Sequence, residues 1–370
     1  MVRATPVAGE NRLNPGAVLL AEDHRLEHID GAMVSSVAVS GPALGSDFRL
    51  ELRWHNPRSD ELDGSLTPFL PLLSMLASRL AVPLQVGGAV DAAALAGAGR
   101  ASARLAEAYG FQPAEIVAEQ TQQAANRPTA RGLFFSRGLD SFSTLVRGRY
   151  GVDVLLGLDW VDPPFNPGWQ REVWEATERA ASDYGLPLYR FTTNARDVLD
   201  PLMDWNDTHG AALVSTALLA GGGLGEILIS STYGSASAPI AHGSDSTLVS
   251  AWSTTRTRIV QASAADTRTA KAAIVATDPI ALKWLKVCWE APGEGNCGRC
   301  SKCLMTLSNF ASIGALELVA ARFRAPLTAT AIRDLDLSRT GVGSLGLLRQ
   351  EATQLPDGVI RDAWLDSLPG

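Results

Sequence analysis

All four cysteines of this 370-residue chain fall within sixteen residues, in the array Cys288-x8-Cys297-x2-Cys300-x2-Cys303. Two successive C-x2-C steps place three thiolates on one tight knuckle and a fourth ligand upstream closes a tetrahedron, so the spacing predicts a tetrathiolate metal site. Soft sulfur ligands select zinc or an iron–sulfur cluster, and zinc is the commoner occupant of a closed site of this kind. Disulfides fit poorly, because adjacent C-x2-C pairs close very small, strained loops. Once four thiolates are bound no coordination position stays open. The expected zinc is therefore structural, and uncrosslinked thiols point to a reducing, cytoplasmic setting.

A hydrophobic content of 46% supplies a sizeable core. The net charge of −7 lacks the basic footprint of a protein that grips nucleic acid, so a small-molecule or peptide substrate is expected. The apolar stretches Thr67 to Val90 and Ala211 to Ser230 are interrupted by Pro71, Arg79 and Pro83 and by a glycine run and Glu226, which argues for buried elements and against membrane spans. Met1 to Leu20 shows no positive charge followed by an apolar core, so no secretory signal is expected.

The pattern divides into three parts. Residues 1–128 read as a small α+β unit with strands between Ala32 and Trp54, a helix from Leu66 to Leu80, a short strand Leu84 to Val86 and a helix from Asp91 to Tyr109. Residues 129–316 alternate strands (Gly132 to Phe135, Val152 to Leu158, Pro187 to Phe191, Glu226 to Ser230) with helices (Ser141 to Tyr150, Trp169 to Tyr184, Asn206 to Ala220). That repetition predicts an α/β fold, with a parallel sheet and ligands at the carboxyl ends of its strands. Residues 317–370 read as a helical tail. The 1–128 unit is expected to cap that sheet edge or to bind a partner, a homodimer being left open.

After the first of these strands comes Ser136-Arg137-Gly138-Leu139-Asp140-Ser141, followed directly by a helix. Backbone amides and the positive end of the helix dipole converge there and make an anion site, to which Ser136 and Ser141 add hydroxyl donors. Asp140 is placed to cap the helix or to orient a magnesium ion. The alternative is an ordinary helix N-cap.

These residues resemble the S-G-G-x-D-S signature of the PP-loop ATP pyrophosphatases, with Arg137 in place of the first glycine. A glycine there serves a positive φ, and a guanidinium beside the loop can itself bind phosphate. The cysteine array about 150 residues further on, together with Thr269-Ala-Lys271-Ala-Ala-Ile274 before it, is similar to the 7-cyano-7-deazaguanine synthase family. The resemblance spans Gly132 to Ile313. It implies a HUP-type, Rossmann-like PP-loop domain with a zinc knuckle, and an enzyme that uses ATP and Mg2+ to adenylate a carboxylate or carbonyl oxygen for attack by ammonia or an amine. Asp140, Ser141 and Lys271 are then catalytic. Ser136, Arg137, Gly138, Leu139, Asp140, Ser141, Asp159, Ser231, Thr232 and Lys271 hold the nucleotide, and Cys288, Cys297, Cys300 and Cys303 hold zinc. With every thiol committed and Val2 at the second position, no glutaminase nucleophile is left, so a separate source supplies the nitrogen. Sulfur transfer, or nucleotide sensing without chemistry, are the alternatives.

Other features are weaker. No Gly-Lys pair exists, which excludes a Walker A loop. The glycine run Gly221 to Gly225 precedes a strand and reads as a helix-to-strand turn. His24 and His28 lack a third ligand. Asp159-Trp160 and Ser230 to Ser235 end strands in the same layer as the loop, Asp245 is an isolated carboxylate in a polar loop, and most of the nine tryptophans read as packing residues.

Overall fold

In the computed structural model the period-two stretch Phe48–His55 is a strand that buries Leu50, Leu52 and Trp54 on one face and leaves Arg49, Glu51 and Arg53 half-buried on the other. The structure describes residues 17–55, 57, 61–122, 126–148, 150–159, 166–232, 242–243, 245–337 and 342–368. The strands of these residues, in chain order, are β1 (Leu19–Ile29), β2 (Ala32–Ser40), β3 (Phe48–His55), β4 (Leu84–Asp91), β5 (Ile116–Gln122), β6 (Ala130–Phe134), β7 (Val154–Leu158), β8 (Leu188–Thr193), β9 (Leu224–Ser230) and β10 (Arg258–Ala262). They form one sheet in the order β10-β9-β6-β7-β8-β3-β2-β1-β4-β5.

The sheet is mostly parallel. Strands β6 to β10 pair in parallel, as do β1 with β4 and β4 with β5, while β1, β2, β3 and β8 pair antiparallel in sequence along the sheet. Asp30 and Gly31 join β1 to β2 with φ of 49° and 78°, the left-handed pair that a two-residue hairpin turn requires. The joint between the two halves is β3 against β8, where Leu52 faces Thr193 and His55 faces Arg190. The strands before and after residue 128 thus share one sheet, and the first half extends it sideways beyond β8.

The helices are α1 (Leu70–Leu80), α2 (Ala92–Tyr109), α3 (Leu139–Val146), α4 (Pro167–Asp183), α5 (Ala195–Leu199), α6 (Trp205–Leu218), α7 (Ser246–Ala251), α8 (Arg268–Val275), α9 (Pro279–Trp284), α10 (Ser301–Ser312), α11 (Leu316–Ala320), α12 (Ala329–Arg333), α13 (Val342–Thr353) and α14 (Val359–Ser367). Residue alternation along β6 shows how they divide. Phe134 joins a core with α1, α2, α6 and α7, whereas Leu133 and Phe135 join one with α3, α4, α8, α9 and α10. The first core also takes Val37, Leu50 and Trp54, so it runs through both halves of the sheet. The tail packs behind α10, where Trp364 donates through Nε1 to Ser308 Oγ at 3.0 Å.

The expected strands and helices of 129–316 are present with ends shifted by a few residues. Three strands were not anticipated: β1, whose outer half is exposed and charged, β5 and β10. β5 ends at Gln122, a few residues before the expected boundary at 128. No helix of the described residues is long and apolar enough to cross a membrane.

Candidate functional site

β6 ends at Phe134, and the chain turns through Ser136, Arg137 and Gly138 into α3. Gly138 occupies the N-cap position with φ −73° and ψ 167°, and no side chain caps the helix. The ordinary N-cap expected of Ser or Asp is therefore not formed. Asp140 does not cap α3 but sits in its first turn, and Ser141 Oγ donates back to the Gly138 carbonyl at 3.1 Å. The first-turn amides, at the positive end of the helix, are left without a capping oxygen.

Beside this turn lies a buried charge cluster. Lys271, fully buried on α8, donates to Asp140 Oδ1 at 2.9 Å and to the Ser231 carbonyl at the end of β9. Arg268, one turn earlier on α8, donates to Asp140 Oδ2 at 3.1 Å. Burial pushes the Asp140 carboxyl up, but Lys271 and Arg268 outweigh it and hold the group below its ordinary value. Spacing brings both cations to one carboxylate, since residues three apart share a helix face. Thr267 sets where α8 begins by accepting from the Ala270 amide, two residues before Thr269.

Arg137 corrects an expectation. It adopts φ 58°, the left-handed conformation a glycine would take freely. Its guanidinium, however, turns away from the loop into the protein and is not placed to bind phosphate. Nε donates to Thr177 Oγ1 at 3.0 Å, Nη1 to Glu294 Oε2 and the Trp284 carbonyl at 2.9 and 3.4 Å, and Nη2 to Glu294 Oε1 and the Val173 carbonyl at 2.6 and 3.2 Å. All five donors are engaged.

The other expected nucleotide residues divide. Ser231 is buried at the β9 end with its carbonyl on Lys271, and Thr232 lies beside it. Asp159, at the end of β7, is held by Arg190 of β8, whose Nε and Nη2 donate to Oδ2 at 3.0 and 2.6 Å. Ser136 is exposed, with Oγ accepting from the Gly138 amide at 3.3 Å. Trp160 and Tyr233 to Ser235 lie outside the described residues.

Three residues of this site were missed in the sequence: Arg268, Glu351 and Glu294. Arg268 carries the one local signal, three positions before Lys271. Glu351 comes from α13 in the tail and lies 3.4 Å from Arg268 Nε. Burial is the main cause that pushes its carboxyl up to about 7, with Asp140 adding to the effect and Arg268, Lys271 and Lys302 opposing it. Gln350 and Glu351 of α13, with Gln354 just past its end, meet Thr232, Thr267 and Arg268 around a cleft of about 10 Å3, room for one water. α13 thus covers the Arg268 end of the charge cluster.

The four cysteines gather next to the same loop. Their Sγ atoms all lie within 4.8 Å of one another, with Cys288 to Cys300 at 3.9 Å and Cys297 to Cys303 at 3.7 Å. A tetrahedron of sulfurs about 2.3 Å from zinc has edges of about 3.8 Å, so the donor set fits that ion. Backbone amides of Ala291, Arg299 and Cys300 donate to Cys288 and Cys297 sulfur, the orientation expected around thiolates. Asn296, fully buried, accepts from the Val287 and Cys288 amides and donates to the Leu285 and Arg322 carbonyls, fixing the upstream ligand. This is a cluster that can bind a metal, and no other group of metal-ligating side chains exists among the described residues.

The remaining candidates are structural. His24 bonds Ser35, His28 is exposed, and Asp245 caps α7 and pairs with Arg104. The glycine run turns α6 into β9, where the Gly222 amide donates to the Glu61 carbonyl. No family model and no curated protein matches this chain.

Proposed function

We propose that the chain is an ATP-dependent adenylating ligase of PP-loop type, which activates a carboxylate or carbonyl oxygen of a small molecule or peptide for attack by ammonia or an amine. The observation that carries this reading is the uncapped N-terminus of α3 at the carboxyl end of β6, with the Asp140–Lys271–Arg268 cluster against its first turn. Amides and cations converge there on one point, which is what a polyphosphate requires. The resemblance of 136–141 to a PP-loop and of 288–303 to a structural zinc knuckle supports it.

In this reading the loop amides and α3 hold the pyrophosphate portion of ATP. A substrate oxygen attacks the α-phosphorus, the bond to the β-phosphate oxygen breaks, and pyrophosphate leaves against Arg268 and Lys271. The amine then attacks the adenylated carbon, AMP departs and the amine's proton is lost to solvent. The chain contributes positioning and charge stabilisation rather than a covalent intermediate. Magnesium, when bound with the nucleotide, neutralises phosphate charge. Asp140 is the carboxylate beside the loop to meet it, and its side chain keeps 21% exposure. Sulfur transfer by the same fold calls for a spare thiol or an iron–sulfur cluster, and with all four thiols gathered in one cluster neither is left once zinc fills it.

The test is product analysis with zinc-loaded protein, Mg-ATP and a panel of carboxylic acids and amines. AMP and pyrophosphate formed only with one acid, and lost in Lys271→Met, support the ligase. Tight nucleotide binding without turnover across the panel favours a sensor, and absence of nucleotide binding overturns both.

A further inference from the structure

Arg137 is an L-residue in a glycine conformation, at a cost of about 1–2 kcal/mol against a right-handed backbone, and its guanidinium is fully buried. A buried cation persists only when paired, and here the pairing charge is Glu294. Glu294 lies in the eight-residue loop between Cys288 and Cys297, whose two ends are ligands of the thiolate cluster. Lys286 braces that loop by donating through Nζ to the Gly293 and Gly295 carbonyls at 2.8 and 2.7 Å. The same segment meets the turn through its backbone, since the Lys286 amide donates to the Arg137 carbonyl at 3.0 Å. A chain of direct bonds therefore runs from the cysteines to the turn that opens α3.

We propose that Arg137 is a positioning residue that ties the 136–141 turn to the metal-bound state of the cysteine knuckle through Glu294. Metal clamps the 289–296 loop at both ends and holds Glu294 on Arg137. The guanidinium, fixed on five acceptors, keeps the backbone left-handed so that the amides of the turn stay aimed at one point. Without metal the loop is released, Glu294 leaves, and the strained turn relaxes. The substitution of arginine for glycine thus makes the turn dependent on the knuckle, where a glycine would hold the same φ without help. The coupling itself needs no nucleotide; its consequence for ATP binding rests on the reading above.

The test is amide hydrogen exchange of the 133–141 peptide in zinc-loaded protein, as a double-mutant cycle. Glu294→Gln is expected to raise exchange of the turn at least tenfold, while the peptides of β7 and α10 stay unchanged. In an Arg137→Gly background the same Glu294→Gln change is expected to alter the turn less than twofold, because its effect passes through the guanidinium. Equal effects in the two backgrounds, or no effect in either, overturn the proposal. A second arm follows zinc release to a colorimetric chelator. If ATP binds the turn, reciprocity requires ATP to slow release in the wild type and less so in Arg137→Gly. Success in the first arm with no ATP effect keeps the coupling and rejects the nucleotide reading.

Discussion

Replacing Asp140 by asparagine keeps the side chain's size, removes its charge, and leaves the fully buried Lys271 ammonium with neutral oxygens in place of its carboxylate partner. Breaking a buried ion pair by removing one member costs about 3–5 kcal/mol. For a 370-residue chain the unfolding entropy is about 0.8 kcal/mol/K, so the expected fall in Tm is about 4–6 °C. Differential scanning calorimetry at pH 7 reads it. Adding Lys271→Met removes the orphaned ammonium, and the double variant is expected to regain at least half of the loss while remaining unable to form AMP. That combination separates the structural role of the pair from its proposed chemistry. The pH dependence has a definite sign. Because Asp140 titrates below its ordinary value of 3.8 in the folded protein, its stabilisation is present above that value and is lost as pH falls through the folded pKa. An unchanged Tm in Asp140→Asn, or a double variant less stable than the single one, refutes the reasoning.

Cys303→Ser, at a fully buried thiol of the cysteine cluster, is expected to abolish stoichiometric zinc and to lower Tm by more than any single exposed-site change; elemental analysis and calorimetry check both. Glu351→Gln acts in the opposite sense. The folded protein raises this carboxyl from 4.5 to about 7, so ionising it destabilises the fold, and the glutamine variant should gain stability relative to wild type as pH rises through that window. The same change frees Arg268 from a competing carboxylate, so nucleotide affinity, measured by calorimetric titration at pH 8, should rise. Gly298→Ala is expected to cost about 1–3 kcal/mol and to speed zinc release: φ is 71°, and the added Cβ would stand 2.3 Å from the Ala325 carbonyl oxygen. Denaturant melts together with chelator kinetics decide it.

Much of this arrangement was legible because it is local. Ligand spacing within sixteen residues confines four thiols to one place whatever the rest of the chain does, and the sulfur cluster is where the spacing put it. Strand, turn and helix around Ser136 to Ser141 also follow from neighbouring residues, as do the βα repeats, because hydrophobic periodicity and turn chemistry act over a few positions. The Arg268–Lys271 pair was within reach of the same logic, being one helical turn apart.

What the tertiary structure decided is everything that depends on which distant groups meet. β3 joins β8 because antiparallel edges with matching apolar faces bury Leu52, Trp54 and Phe191 together, and nothing within either strand names its partner. Glu351 reaches Arg268 only because α13 folds back over α8, and Arg137 points inward only because Glu294, Thr177 and two carbonyls receive it there. Sequence determined which chemistries the chain carries and their spacing along it. Long-range packing determined which of them face one another, since burying a charge is tolerable only where the completed fold supplies its partner.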